Sequence, residues 1–122
     1  MTGVLDSKLT DRRLWGTWRS DARRTGREIV ARNDIPEMQK KSLKKFFGKL
    51  QIRYTQTRAY ATLNGHTEVW SYKVLGKDST SAVILSSTGR EREPQLTQIH
   101  FEGPFFWISL GNGRVREFFK RQ

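Results

Sequence analysis

Cysteine is absent from the 122 residues, so neither a disulfide framework nor a thiolate metal site is open to this chain. A reducing compartment accords with that, and a cytoplasmic location is the expectation. Residues 1–12 hold Asp6, Lys8 and Asp11 and no apolar run; they read as a polar arm, neither signal peptide nor membrane anchor, and no membrane span is expected. Carboxylates are scarce, 12 Asp and Glu against 23 Lys and Arg, for a net charge of +11 and a pI near 10.6. Asp21, Glu28 and Glu102 are isolated, so no general acid/base pair is visible. Histidine occurs only at His66, beside the pair Asn64-Gly65, and at His100, within a strand. Neither has a nucleophile at motif spacing, and His100 as a haem or metal ligand has no supporting second feature. Gly111-Asn112-Gly113 precedes no helix, as a phosphate loop must. The expectation is a protein that is not an enzyme and carries neither cofactor nor metal.

What is present fits one domain over residues 13–122. A chain of this size buries roughly two thirds of the surface it exposes when unfolded, enough for a single core. The domain opens on Leu14-Trp15-Gly16-Thr17-Trp18, where a glycine between bulky neighbours suits a bent strand better than a helix. Residues 14–21 are the first expected strand. A basic stretch follows and leads into one amphipathic helix, with Asp34 as cap, Pro36 in the first turn and Glu37 completing a capping box. Leu43, Phe46, Phe47 and Leu50 recur at i, i+3, i+4 and i+7, one apolar stripe among lysines.

Beyond Leu50 the period changes from 3.6 to 2. Leu50, Ile52 and Tyr54 alternate with polar residues, a turn falls near Gln56-Thr57, and Asn64-Gly65 marks a hairpin. Further strands are expected over 69–75, 82–86, 96–102, 105–110 and 114–120, separated by clusters of turn formers. The fold class is mainly β: an antiparallel up-and-down meander of about eight strands forming a barrel or half-barrel, with one helix after strand 1.

Gly16-Thr17-Trp18 in the first strand of such a meander resembles the first-strand motif of the lipocalin and fatty-acid-binding protein superfamily, the calycins, and small bacterial lipocalin-like domains in particular. The resemblance implies that Trp18 closes one end of the barrel and that a basic residue of the last strand packs across its ring; Arg114 and Arg116 are the candidates. It implies binding of a small hydrophobic or amphipathic ligand, anionic amphipaths included.

Tyr54, Trp70, Tyr72, Phe101 and Trp107 are the candidate ligand-binding aromatics, with filling of the core as their other role. Arg23, Arg24, Arg27, Lys41 and Lys45 are the candidate anion-binding residues of a basic region, 23–49. That region supports an alternative, binding of nucleic acid or an anionic surface, with Trp15, Tyr54 or Tyr60 available for stacking. No RNP, KH or zinc-finger pattern accompanies it. Assembly through an exposed sheet face is a third class.

Overall fold

The computed structural model describes residues 9–88, 93–110 and 115–122. A 3-10 turn, Arg12–Leu14, leads into β1 (Gly16–Ser20), then helices α1 (Ala22–Val30) and α2 (Glu37–Lys44). There follow β2 (Gln51–Tyr54), β3 (Arg58–Leu63), β4 (His66–Lys77), β5 (Ser81–Ser87), β6 (Gln95–Glu102), β7 (Phe105–Leu110) and β8 (Val115–Arg121). Each strand pairs antiparallel with the next, and β8 returns to β1, so that eight strands among the described residues close a barrel. The meander therefore has no open edge, as in a lipocalin-like fold and unlike a half-wrapped sheet. No helix of the described residues is long and apolar enough to cross a membrane.

Turn chemistry sets the path where the sequence indicates it. Asn64 and Gly65 take φ of 51° and 79° between β3 and β4, the left-handed pair of a two-residue hairpin turn. A bulge between Val74 and Gly76 bends β4 as the barrel closes. Gly111-Asn112-Gly113 lies outside the described residues.

One end is sealed by residues from both chain termini. Trp18 is 2 % exposed, donates its indole N–H to the Leu14 carbonyl at 2.8 Å and meets Phe106 edge-on at 4.7 Å. Arg121, its register partner on β8, places its guanidinium 4.2 Å from the indole centroid and donates to the carbonyls of Trp15 and Arg13. The cation over Trp18 is thus Arg121. Arg116 is five residues earlier on the outer face, over the Trp107 ring at 4.9 Å and paired with Glu28; Arg114 lies outside the described residues. Gly16 makes room for this closure: its φ is +118°, and a Cβ there would stand 2.9 Å from Arg121 Nη1. The described part of residues 1–12 belongs to the same plug, with Leu9 against the core and Asp11 buried, capping the 3-10 turn.

The helical region differs from the single helix expected. The arginine-rich stretch forms α1, because Asp21 caps it by accepting from the Arg24 amide at 3.0 Å. The sequence between Val30 and Pro36 then turns, and the N-cap of α2 is not Asp34, whose carboxylate pairs with Arg32 at 2.7 Å. Pro36 holds the N-cap position of α2 without a side-chain bond. α2 stops at Lys44, so Phe46, Phe47 and Leu50 fall beyond it and Phe46 is 71 % exposed. The buried residue of α2 is Lys40, whose ammonium donates to the Val30 carbonyl at the end of α1. α1 in turn covers the outside of β8: Thr25 and Ile29 are buried, Thr25 Oγ1 accepts from the Phe118 amide at 2.9 Å, and Arg24 lies 4.1 Å over the Phe118 ring.

Trp18→Ala is expected to cost about 3–5 kcal/mol in urea unfolding. Arg121→Ala is expected to cost about 1–2 kcal/mol through the lost ring contact and carbonyl bonds; a change under about 0.5 kcal/mol would show that closure does not depend on it.

Candidate functional site

Strand alternation turns Ile52 and Tyr54 of β2, Ala59 and Ala61 of β3, Trp70 and Tyr72 of β4 and Ile84 of β5 toward the barrel axis. Together with Phe106 and Ile108 of β7 and the polar Ser86, Gln95 and Thr97, they enclose a cavity of about 230 Å³. Its floor is buried, at Tyr54, Ala59, Tyr72, Ile84 and Phe106; Leu50, Trp70 and Gln95 are exposed or half-buried at its rim. It therefore opens at the end away from the Trp18 plug. A cavity of about 150 Å³ accommodates benzene, and drug-sized ligands occupy roughly 300–1,000 Å³, so this one is sized for one or two rings or a short chain.

Three of the five candidate aromatics meet here, Tyr54, Trp70 and Tyr72. Tyr54 and Tyr72 contact edge-on at 5.4 Å. Burial pushes both phenols up, Tyr72 to about 12, so both stay neutral at physiological pH. The Tyr72 hydroxyl donates to the Thr55 carbonyl. Trp15, just before β1, has a buried indole N–H without a full hydrogen bond, close enough to the Tyr72 oxygen to draw its pKa back. Phe101 and Trp107 do not line the cavity. Phe101 lies at the plugged end beneath the Arg13 guanidinium at 4.5 Å. Trp107 alternates with inward Phe106 and Ile108, so it is outside the barrel, stacked on His100 at 3.8 Å.

The space exists because β3 presents alanines inward. Ala59 and Ala61 alternate with Arg58, Tyr60 and Thr62, and that pair of small residues at alternate positions is the sequence signal that would have located the void.

On the outer surface, Arg23 and Arg27 of α1, Lys41 of α2 and Lys45 just after it are exposed, with no carboxylate partner among the described residues. Arg24 is engaged by the Phe118 ring and by Glu102 at 3.3 Å. Tyr60 carries Arg53 over its ring on the barrel exterior. His66 is exposed at the β3–β4 turn, and no group of three His, Asp or Glu among the described residues could hold a metal ion.

Glu117 went unremarked in the sequence. β8 alternates Glu117 and Phe119 inward with Arg116 and Phe118 outward, leaving the carboxylate 8 % exposed. Oε2 accepts from Ser20 Oγ at 2.7 Å, and the same hydroxyl accepts from the Gly48 amide. Burial pushes this carboxyl above its ordinary value, with the Ser20 bond acting the other way.

No family model matches the chain, and no curated protein or solved structure matches it.

A carboxyl with a raised pKa holds its proton more tightly in the folded than in the unfolded state, so its burial penalty is absent in acid and grows as pH rises. Glu117→Gln removes that titration. Its stability relative to wild type is expected to climb as pH rises from about the ordinary value, 4.5, through the folded-state pKa, as followed by urea melts across that window. A pH-independent difference would mean that Glu117 titrates as in the unfolded chain.

Proposed function

We propose that this protein is a lipocalin-like, non-catalytic binder of a small hydrophobic or amphipathic ligand, held in the barrel between Tyr54, Trp70 and Tyr72. The observation that carries this reading is the open, mostly apolar cavity of about 230 Å³ in a barrel plugged at its other end. Such pockets bind by burying apolar surface, with a few polar groups fixing orientation; Ser86, Thr97 and Gln95 are in place for that. A small aromatic such as naphthalene at about 100 times its Kd is expected to add about 2.7 kcal/mol of stability, a rise in Tm of several degrees. Ala61→Trp, which fills the void, is expected to fold and to abolish the shift. If no apolar probe moves the wild-type Tm, ligand binding is rejected.

A second reading has its own observation, the exposed Arg23, Arg27, Lys41 and Lys45 without carboxylate partners among the described residues. Nine basic and three acidic residues lie from Ala22 to Lys49, a charge that attracts nucleic acid or another polyanion. Affinity for a random oligonucleotide is then expected to fall steeply with salt, and exchanging those four residues for alanine to flatten the log–log slope by up to about three. Absence of binding at low salt would reject it.

A further inference from the structure

Among the described residues, the mouth half of the inner face of this barrel carries charge opposite to that of the outer face. The chain as a whole is +11, yet among the described residues the formal charges at inward register positions toward the mouth are both negative. Glu68 shares its face with the cavity-lining Ala61 and Ile52 through the β2–β3–β4 register, exposed at the rim. Glu117 is the register partner of Ile108, which also lines the cavity. The inward cations, Arg121 and Lys77, belong to the plugged end: Arg121 lies over Trp18, and Lys77 donates to the Thr10 carbonyl.

Glu117 is placed for a ligand that reaches past the apolar wall. Paired residues on one face of an antiparallel sheet stand about 4.5–5.5 Å apart at Cβ, so its carboxylate is one side chain beyond Ile108. On its other side Ser20 is anchored to the rim residue Leu50 by a backbone bond of 2.8 Å. One oxygen is held by Ser20, whereas Oε1 takes no hydrogen bond from any described residue. No lysine, arginine or histidine among the described residues pairs with it. A buried carboxylate without a cation is unfavourable, and among the described residues this one is unmatched.

We propose that the cavity selects an amphipathic amine, an apolar body of one or two rings or a short alkyl chain bearing a protonated primary amine, and that Glu117 beside Ser20 holds the ammonium. The apolar body fills the space between Trp70, Tyr72 and Ile84, and the head leaves it beside Ile108. An ammonium donates to Oε1 and neutralises the carboxylate, a charge-assisted bond in a partly desolvated site. The sign is opposite to that of the outer surface, which disfavours a cation at long range; at physiological salt this field is screened within about 8 Å, while the contact inside the mouth is not.

The inference rests on the cavity being a binding site, and one set of probes separates the two. Affinities of 1-methylnaphthalene, 1-naphthylmethylamine and 1-naphthoate are measured by titration calorimetry at about 0.15 M salt, the physiological ionic strength, on wild type, Glu117→Gln and Ala61→Trp. The amine is expected to bind wild type about tenfold or more tightly than the neutral hydrocarbon, and the carboxylate more weakly than either. Glu117→Gln is expected to erase the advantage of the amine and keep the affinity for the hydrocarbon; Ala61→Trp is expected to lose all three. Should the Glu117→Gln variant fail to fold, Glu117→Leu, which buries no polar group, makes the same comparison. If the hydrocarbon binds and the amine gains nothing, or the gain survives at Glu117→Gln, the assignment of Glu117 is overturned and the cavity reading stands. If no probe binds wild type, both fall.

Discussion

The barrel depends on the junction of its first and last strands, where Trp18 lies against Phe106 inside and under Arg121 at the end. A meander closes only if strands distant in sequence meet, and the entropy of bringing residues 18 and 121 together must be met by contacts at that seam. The β1–β8 ladder is short, with three register pairs, so its backbone bonds are few. Side chains supply the rest: the indole–guanidinium contact, two carbonyl bonds from Arg121, and the edge-on contact of Trp18 with Phe106 at 4.7 Å. α1 strengthens the seam from outside. After Ser20 the chain leaves the sheet, and Asp21 and Thr25 take up the carbonyl and amide of Phe118 that β1 no longer reaches.

With one end sealed in this way, the distribution of side-chain volume decides whether the other end is filled. Large rings crowd the plug, where Phe106 meets Trp18 on one side and Phe119 on another. Around the cavity several inward positions are small or polar, Ala59 on its floor and Ala61, Ser86 and Thr97 along its wall. Alanine at two successive inward positions of β3 removes several methylene groups from the wall, and an eight-stranded barrel is just wide enough for that difference to separate a packed centre from a cavity. Side chains around the void are held in place by neighbours on the buried side, as Tyr72 is by Thr55. The space is therefore a property of the folded barrel and needs no rearrangement to form.

Much of this was legible in the sequence because it is local. The period-2 runs, the Asn64-Gly65 turn and the bent Gly16 strand each depend on neighbours in the chain, and the strands they indicate are those the barrel contains. Three features were not legible, each because it depends on three-dimensional register. Arg121 rather than Arg116 meets Trp18 because the β1–β8 pairing starts at the chain's end. The apolar stripe at Leu43, Phe46, Phe47 and Leu50 has helical spacing, but the helix stops at Lys44, so period alone gave one helix where capping by Asp21 makes two. Trp107 and Tyr54 look alike as strand aromatics; only the inward or outward parity of their strands puts one on the surface beside His100 and the other in the cavity.

Ser20 ties the basic insertion to the mouth of the barrel. Its hydroxyl donates to Glu117 and accepts from Gly48, and its amide donates to Leu50, so the chain departs from and returns to the sheet at one residue. Residues 21–49 thus form an excursion whose ends are fixed together at Ser20 and which docks on the barrel through α1 against β8. Their surplus positive charge does not set the state of the buried carboxylate. The carboxyl is displaced upward because desolvation by burial outweighs the Ser20 bond. A basic outer face and a buried carboxylate thus coexist in the described residues because burial and one hydrogen bond, and not the surface charge, set the state of Glu117.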